Sequence, residues 1–175
     1  MVIQPTGEVG IGTNTPATKL DVNVTTTTKI LEITGGSDIA ESFMVNSEFE
    51  LLPGMIVSID TNNPGELKIA SSEYDSKVAG IISGANNINT GLILNQKGFI
   101  TDGEVPVALT GRAYCYADVS FGEIKPGDLL TTSNTPGYAM RVSDYDRANG
   151  ATIGKAMTPL KKGDKGLVLV LVTLK

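Results

Sequence analysis

Ser37, Asp38 and Glu41 stand within five residues of one another, and they are the side chains of this sequence best placed to do chemistry. An acidic pair held in a protein-covered site can have one pKa raised, which supplies an acid and a base without histidine. That matters here because the 175-residue chain has no histidine and a single cysteine, Cys115. The commonest general base, the commonest transition-metal ligand and any multi-cysteine metal site are therefore missing, and no cofactor or metal is expected. The structural alternative is that Asp38 and Glu41 are hydrogen-bonded anchors fixing a strand to its neighbours, and of the two it is preferred.

Three further groups invite the same question. Residues 60–65, Asp-Thr-Asn-Asn-Pro-Gly, carry oxygen-bearing side chains ahead of a glycine like a calcium loop. Pro64 follows Asn63, however, and Ser71 stands where a bidentate glutamate belongs, so a hairpin turn is expected. Asp144 and Asp146 flank Tyr145, and Glu73-Tyr74-Asp75 repeats the pattern earlier, which favours a structural role. Arg112, Tyr114, Tyr116 and Tyr138 could form a sugar-stacking or protein-docking surface, since an aromatic ring offers an apolar face and its hydroxyl a polar tip. Cys115, between two tyrosines on an alternating strand, faces away from them and is expected to be a small buried hydrophobe.

The elements that must position these residues are repeated. Pro53-Gly54, Pro64-Gly65, Glu73-Tyr74-Asp75 and Val78-Ala79-Gly80-Ile81 return as Pro126-Gly127, Pro136-Gly137, Asp144-Tyr145-Asp146 and Ile153-Gly154-Lys155, displaced by 71 to 74 positions. A third anchor sets residues 91–94 against 166–169. One supersecondary unit is thus used twice. Each Pro-Gly pair suits the two central positions of a type II turn, where proline presets φ and glycine takes the positive φ. With abundant Thr, Val and Ile and almost no helical spacing, the chain reads as all-β. Strands are expected at 43–45, 55–59, 66–70, 78–82 and 92–94, then at 105–109, 114–119, 129–131, 139–142, 152–157 and 166–174. The last is apolar at nearly every position, so cover on both faces is expected, the second from another subunit. Short helical turns are expected at 72–76 and 144–149.

Residues 1–36 read differently. Val9-Gly10-Ile11-Gly12-Thr13, Pro16 and Lys19-Leu20-Asp21-Val22 make a strand-like segment too rich in glycine to bury a core alone. This phrase resembles a connector of phage tail fibres and bacterial surface fibres, where it is commonly part of a trimeric shaft. The remainder, 37–175, resembles a C-terminal head module of such fibres through Ser37-Asp38-x-Ala40-Glu41, Pro126-Gly127-Asp128-Leu129-Leu130-Thr131-Thr132-Ser133 and Ile153-Gly154-Lys155-Ala156. That likeness implies a duplicated β-clip or barrel-like head, built of units at about 38–104 and 105–175 and trimeric with its shaft. The junction is also distantly similar to the autoproteolytic intramolecular-chaperone family. There the resemblance implies a scissile Ser37-Asp38 bond assisted by Asp38 and Glu41.

Composition narrows the partners. Charged residues make up 19% of the chain, the net charge is −5 and no run of Lys or Arg occurs, so nucleic acid is not expected. No apolar run reaches eighteen residues and no signal-type segment opens the sequence, so neither membrane insertion nor self-directed export is expected. The leading expectation is a structural and attachment protein: the head of a homotrimeric tail or surface fibre, extracellular or part of a virion or injection system. It would meet other fibre components and a cell-surface glycan or protein. A self-cleaving chaperone and a capsid or filament decoration subunit are the alternatives.

Overall fold

The computed structural model describes every residue except 96, 97, 99, 162, 164 and 175, together with the side chain of residue 165. The chain folds as two units, Met1–Glu32 and Ile33–Lys175. In the first, β1 (Val2–Ile3) runs antiparallel to β2 (Val9–Ile11), and β3 (Leu20–Val22) lies parallel to β2. Glycine is needed at Gly10, where a methyl group would stand 2.5 Å from the Thr13 carbonyl oxygen. Lys19 closes the small sheet, its ammonium 2.6 Å from Glu8 and 3.0 Å from the Thr6 carbonyl.

The second unit is one continuous sheet of eleven strands: β4 (Asp38–Phe43), β5 (Val45–Asn46), β6 (Ile56–Ile59), β7 (Leu67–Ile69), β8 (Val78–Ile82), β9 (Leu92–Leu94), β10 (Val105–Asp118), β11 (Leu129–Thr132), β12 (Ala139–Arg141), β13 (Thr152–Ala156) and β14 (Lys165–Thr173). All-β architecture is thus what the chain adopts. Its helical content among the described residues is two 3-10 turns, Ala85–Asn87 and Val119–Phe121. The helical turns expected at 72–76 and 144–149 are non-helical turns instead. In the second of these, Asp144 accepts hydrogen bonds from the N–H groups of Asp146 and Arg147, and such side-chain bonds compete with helix.

All four Pro-Gly pairs form the turns their chemistry requires. Gly54, Gly65, Gly127 and Gly137 have φ of 97°, 90°, 94° and 77°. Each turn is closed by a main-chain bond across it: Met55 to Leu52, Glu66 to Asn63, Asp128 to Lys125 and Tyr138 to Thr135. The 60–65 loop is the β6–β7 hairpin, in which the Asp60 carboxylate accepts from the Asn62 N–H and the Asn63 amide.

The repeat is carried by register as well as by wording. Val57, Ser58 and Ile59 of β6 face Ile69, Lys68 and Leu67 of β7, as Leu130, Thr131 and Thr132 of β11 face Arg141, Met140 and Ala139 of β12. The bulge between Val57 and Ser58 against β8 recurs between Leu130 and Thr131 against β13. Five strands, β10, β14, β13, β11 and β12, close into a barrel through the parallel pairing of Ala117 with Ala139. The first copy closes in the same way. β4 pairs with the start of β10, then come β8, β6 and β7, and the parallel pairing of Val45 with Leu67 completes the ring through β5. Matching side chains fill the two interiors: Val45, Val57, Leu67, Ile82 and Val107 in the first, Ala117, Leu130, Ala139, Ala156 and Val170 in the second.

Two expectations change. Residues 105–109 and 114–119 are one strand, β10, whose beginning closes the first ring and whose end opens the second. The expected equivalence of 91–94 with 166–169 fails, because β9 runs parallel to β4 whereas β14 runs antiparallel to β10 and β13. The true counterpart of β14 is the start of β10: Ala108 faces Ile81 as Leu171 faces Lys155. A short apolar run carries no information about strand direction, and the two segments matched on that alone.

Asp75, on the turn after β7, illustrates how charge is held. Burial pushes its carboxyl up, but the Lys77 ammonium at 2.8 Å and the Lys77 N–H at 2.9 Å outweigh this and hold it below the usual carboxylate range. A folded-state pKa that is depressed contributes stability above the unfolded value, about 3.9, and that contribution is lost as pH falls through the folded one. In urea melts, Asp75→Asn is therefore expected to lose less stability than the parent on acidification below about pH 4. Equal slopes in the two proteins would contradict this.

Candidate functional site

Asp38 begins β4 and is buried, and its side chain is fully engaged. One oxygen accepts from the Ser83 hydroxyl and the other from the Gly91 N–H at 2.8 Å, while Thr90 donates to Ser83 at 2.8 Å. These bonds tie the start of β4 to the segment leading from β8 into β9. Glu41 lies three residues further along the strand, hence on the opposite face. No hydrogen bond or ion pair among the described residues joins it to Asp38.

The Ser37-Asp38 peptide is held from the other side. The Ser37 carbonyl accepts from the Arg112 N–H at 2.9 Å. It also packs against Gly111, where a methyl group would stand 2.5 Å from the Ser37 oxygen and 2.7 Å from the Asp38 Cα. Gly111, with φ of 100°, is thus the glycine that lets β10 pass this peptide. A carbonyl enclosed in this way leaves little room for a nucleophile, and the two carboxyls do not converge on it. The folded protein is accordingly expected to keep its 18.3 kDa mass on prolonged incubation. A fragment beginning at Asp38 in the mass spectrum would overturn this.

Arg112, Tyr114 and Tyr116 alternate along β10 and so share one face, with Leu171, Leu169 and Leu167 of β14 beside them in register. Tyr138 joins the row through its neighbour: the Tyr116 and Tyr138 rings lie 5.3 Å apart, tilted by 32°. The strand beneath Tyr116 is tied to the rest of the chain, since the Tyr116 N–H donates to the Gly54 carbonyl. Arg112 and Tyr114 form the open end of the row. The structure therefore gathers the four residues that the sequence suggested for binding, and it adds the leucines of β14.

On the opposite face of β10, Cys115 is fully buried and its thiol is pushed up to about 12 by that burial, which leaves it unreactive. Val168, Val170 and Val172 of β14 are likewise buried, whereas Leu171 is 42% exposed. Within the chain, then, one face of the last strand is buried, while on the other Leu167 and Leu169 are half-buried and Leu171 is exposed. The sequence expectation was cover of this strand on both faces, the second from another subunit, and the leucine row is the face that the chain itself leaves open. The only signal was the alternation of leucine and valine, and it does not tell solvent from core. The described residues hold no group of three or more acidic or cysteine side chains that could bind a metal ion.

Compared with known proteins, the chain matches no family model and no curated protein.

Proposed function

We propose that the chain is a structural and attachment protein: the head of a homotrimeric tail fibre or surface fibre, extracellular or part of a virion or injection system, with residues 1–36 belonging to the shaft. The observation that carries this reading is the row of Arg112, Tyr114, Tyr116 and Tyr138, a cation and three aromatic rings mounted on the wall of a closed barrel. Such a row offers flat apolar faces with polar tips at low entropic cost, which suits a glycan or a protein on a cell surface. The shaft-like phrase of residues 9–22 supports the fibre context.

A glycan array and a cell-binding assay with the purified trimer test it. Arg112→Ala and Tyr114→Ala are each expected to weaken binding about tenfold, the effect of losing one well-placed contact of about 1.4 kcal/mol. Binding unchanged in the double variant would remove this surface from the reading, and a monomeric protein that binds no cell surface or fibre component would end it.

A further inference from the structure

The open end of the aromatic row continues onto a third strand. Arg112 faces Leu171 across β10 and β14, and Leu171 faces Lys155 across β14 and β13, so the three side chains stand in one line on the outside of the second barrel. The next line holds Tyr114 and Leu169, with Met157 just past the end of β13, where its N–H donates to the Leu169 carbonyl. Neighbouring strands are about 4.8 Å apart, which sets the main chains of Arg112 and Lys155 about 10 Å from each other with Leu171 between them. Both cations are exposed, and Leu171 and Met157 are each 42% exposed.

Two observations point to a ligand here. Among the described residues neither Arg112 nor Lys155 has an ion-pair partner, although the chain as a whole carries a net charge of −5. Glu41 stands four residues along β4 from the Ser37 carbonyl that binds the Arg112 N–H, about 13 Å away. Asp128, beside the Leu129 that faces Lys155, accepts instead from the Lys125 N–H. The second observation is what the duplication changed. Ala108 and Ile81 hold the places of Leu171 and Lys155 in the first barrel, and both are fully buried in the cluster that contains Val168, Val170 and Val172 of the second. In the second barrel the same pair is turned to solvent. A single exposed leucine is ordinary, but a leucine kept between two cations offers apolar contact and positive charge at one point.

Resting on the attachment role above, we propose that this line is where a carboxylate-bearing sugar of a cell-surface glycan binds. The Arg112 guanidinium presents a planar fork that matches a carboxylate, and the Lys155 ammonium closes on the same group from the other side. Leu171 and the Tyr114 ring supply the apolar floor for the C–H face of the sugar. Two cations converging over a floor one leucine wide suit a single anionic ring, whereas a protein partner needs about 800 Å² of each surface.

Binding of the full chain to uronate- and sialate-containing oligosaccharides, each measured beside its carboxyl-reduced form, tests this. At least one acidic form is expected to bind about tenfold more tightly than its reduced counterpart, with an affinity that falls as salt is raised. Lys155→Gln should weaken that binding about fivefold, the effect of losing one exposed charge contact, and Lys155→Arg should retain it. Lys155 is exposed, so both variants are expected to melt as the parent does. Lys125→Gln changes the net charge equally at a cation already paired with Glu123, and should leave binding as it was. Equal binding of acidic and reduced forms, equal losses at Lys155 and Lys125, or a preference for sulfated over carboxylated sugars would overturn the ligand class. So would attachment to cells through a neutral glycan or a protein alone, which keeps the attachment reading; a chain that binds neither sugar nor cell surface nor fibre component ends both.

Discussion

Alanine at Gly154 is expected to lower stability by about 3 kcal/mol or more, the upper range for forcing atoms into a packed interior. A methyl group there would stand 2.1 Å from the Leu171 carbonyl oxygen and 3.0 Å from Val170 Cγ1, and both belong to the paired strand β14. Main chain cannot turn aside as a side chain can, so the barrel wall itself must open. The same approach is built into the first barrel, where a methyl at Gly80 would meet the Ala108 carbonyl at 2.5 Å. Gly80 and Gly154 are equivalent in the repeat, as are Ala108 and Leu171, so the glycine is a requirement of this fold at this register. For a chain of this size the loss corresponds to a fall in melting temperature of about 6–12 °C. Gly127→Ala is the control: nothing lies within 4 Å of that position, and its φ of 94° alone accounts for an expected loss of about 1–2 kcal/mol. Equal effects at Gly127 and Gly154 would show that close approach is not the cause.

The second large effect is expected at Tyr74. Its hydroxyl accepts two main-chain N–H bonds from the neighbouring barrel, and the Arg147 guanidinium stands 4.4 Å above its ring while reaching Glu73 at 3.8 Å. Tyr74→Ala removes the ring and the acceptor together, and about 2–4 kcal/mol is expected by comparison with aromatic truncations at more fully buried sites. Tyr74→Phe keeps the ring and should lose about 1 kcal/mol. Tyr145→Ala, at the equivalent position of the repeat, should change stability by less than about 0.5 kcal/mol, since that side chain is 71% exposed. Denaturant melts of the three variants decide the matter. Similar losses at Tyr74 and Tyr145 would show that the bonds from Ser143 and Asp144 to the Tyr74 hydroxyl are not the cause.

Much of the fold was legible because it is written in turn chemistry. Pro-Gly pairs state a φ sign at a known position, and that local requirement survives any tertiary context; all four turns formed as read. Strands β8 and β9 were legible to their ends and most others to within a residue or two, through apolar and β-branched runs bounded by turns. β4 was not, because Asp38-Ile39-Ala40-Glu41-Ser42 is too polar to read as strand. Its burial is supported by Ser83 and Gly91, which are far away in sequence. The sequence divides β10 at 110–113, and Gly111 within that stretch is the point where another peptide passes close by. The candidate sites divide along the same line. Alternation alone placed Arg112, Tyr114 and Tyr116 on one face, while the spacing of Asp38 and Glu41 could be interpreted only once the segment was known to be a strand, which sends them to opposite faces.

Because β10 supplies the closing edge of one barrel and the opening edge of the other, the duplication has no seam. A cut between Leu109 and Gly111 would leave 105–109 paired with β4 and β8 and 112–118 paired with β14 and β12, so each barrel would keep its closing edge and only the covalent link between the two walls would be lost. A load carried along the chain would be borne by one strand stitched into both walls.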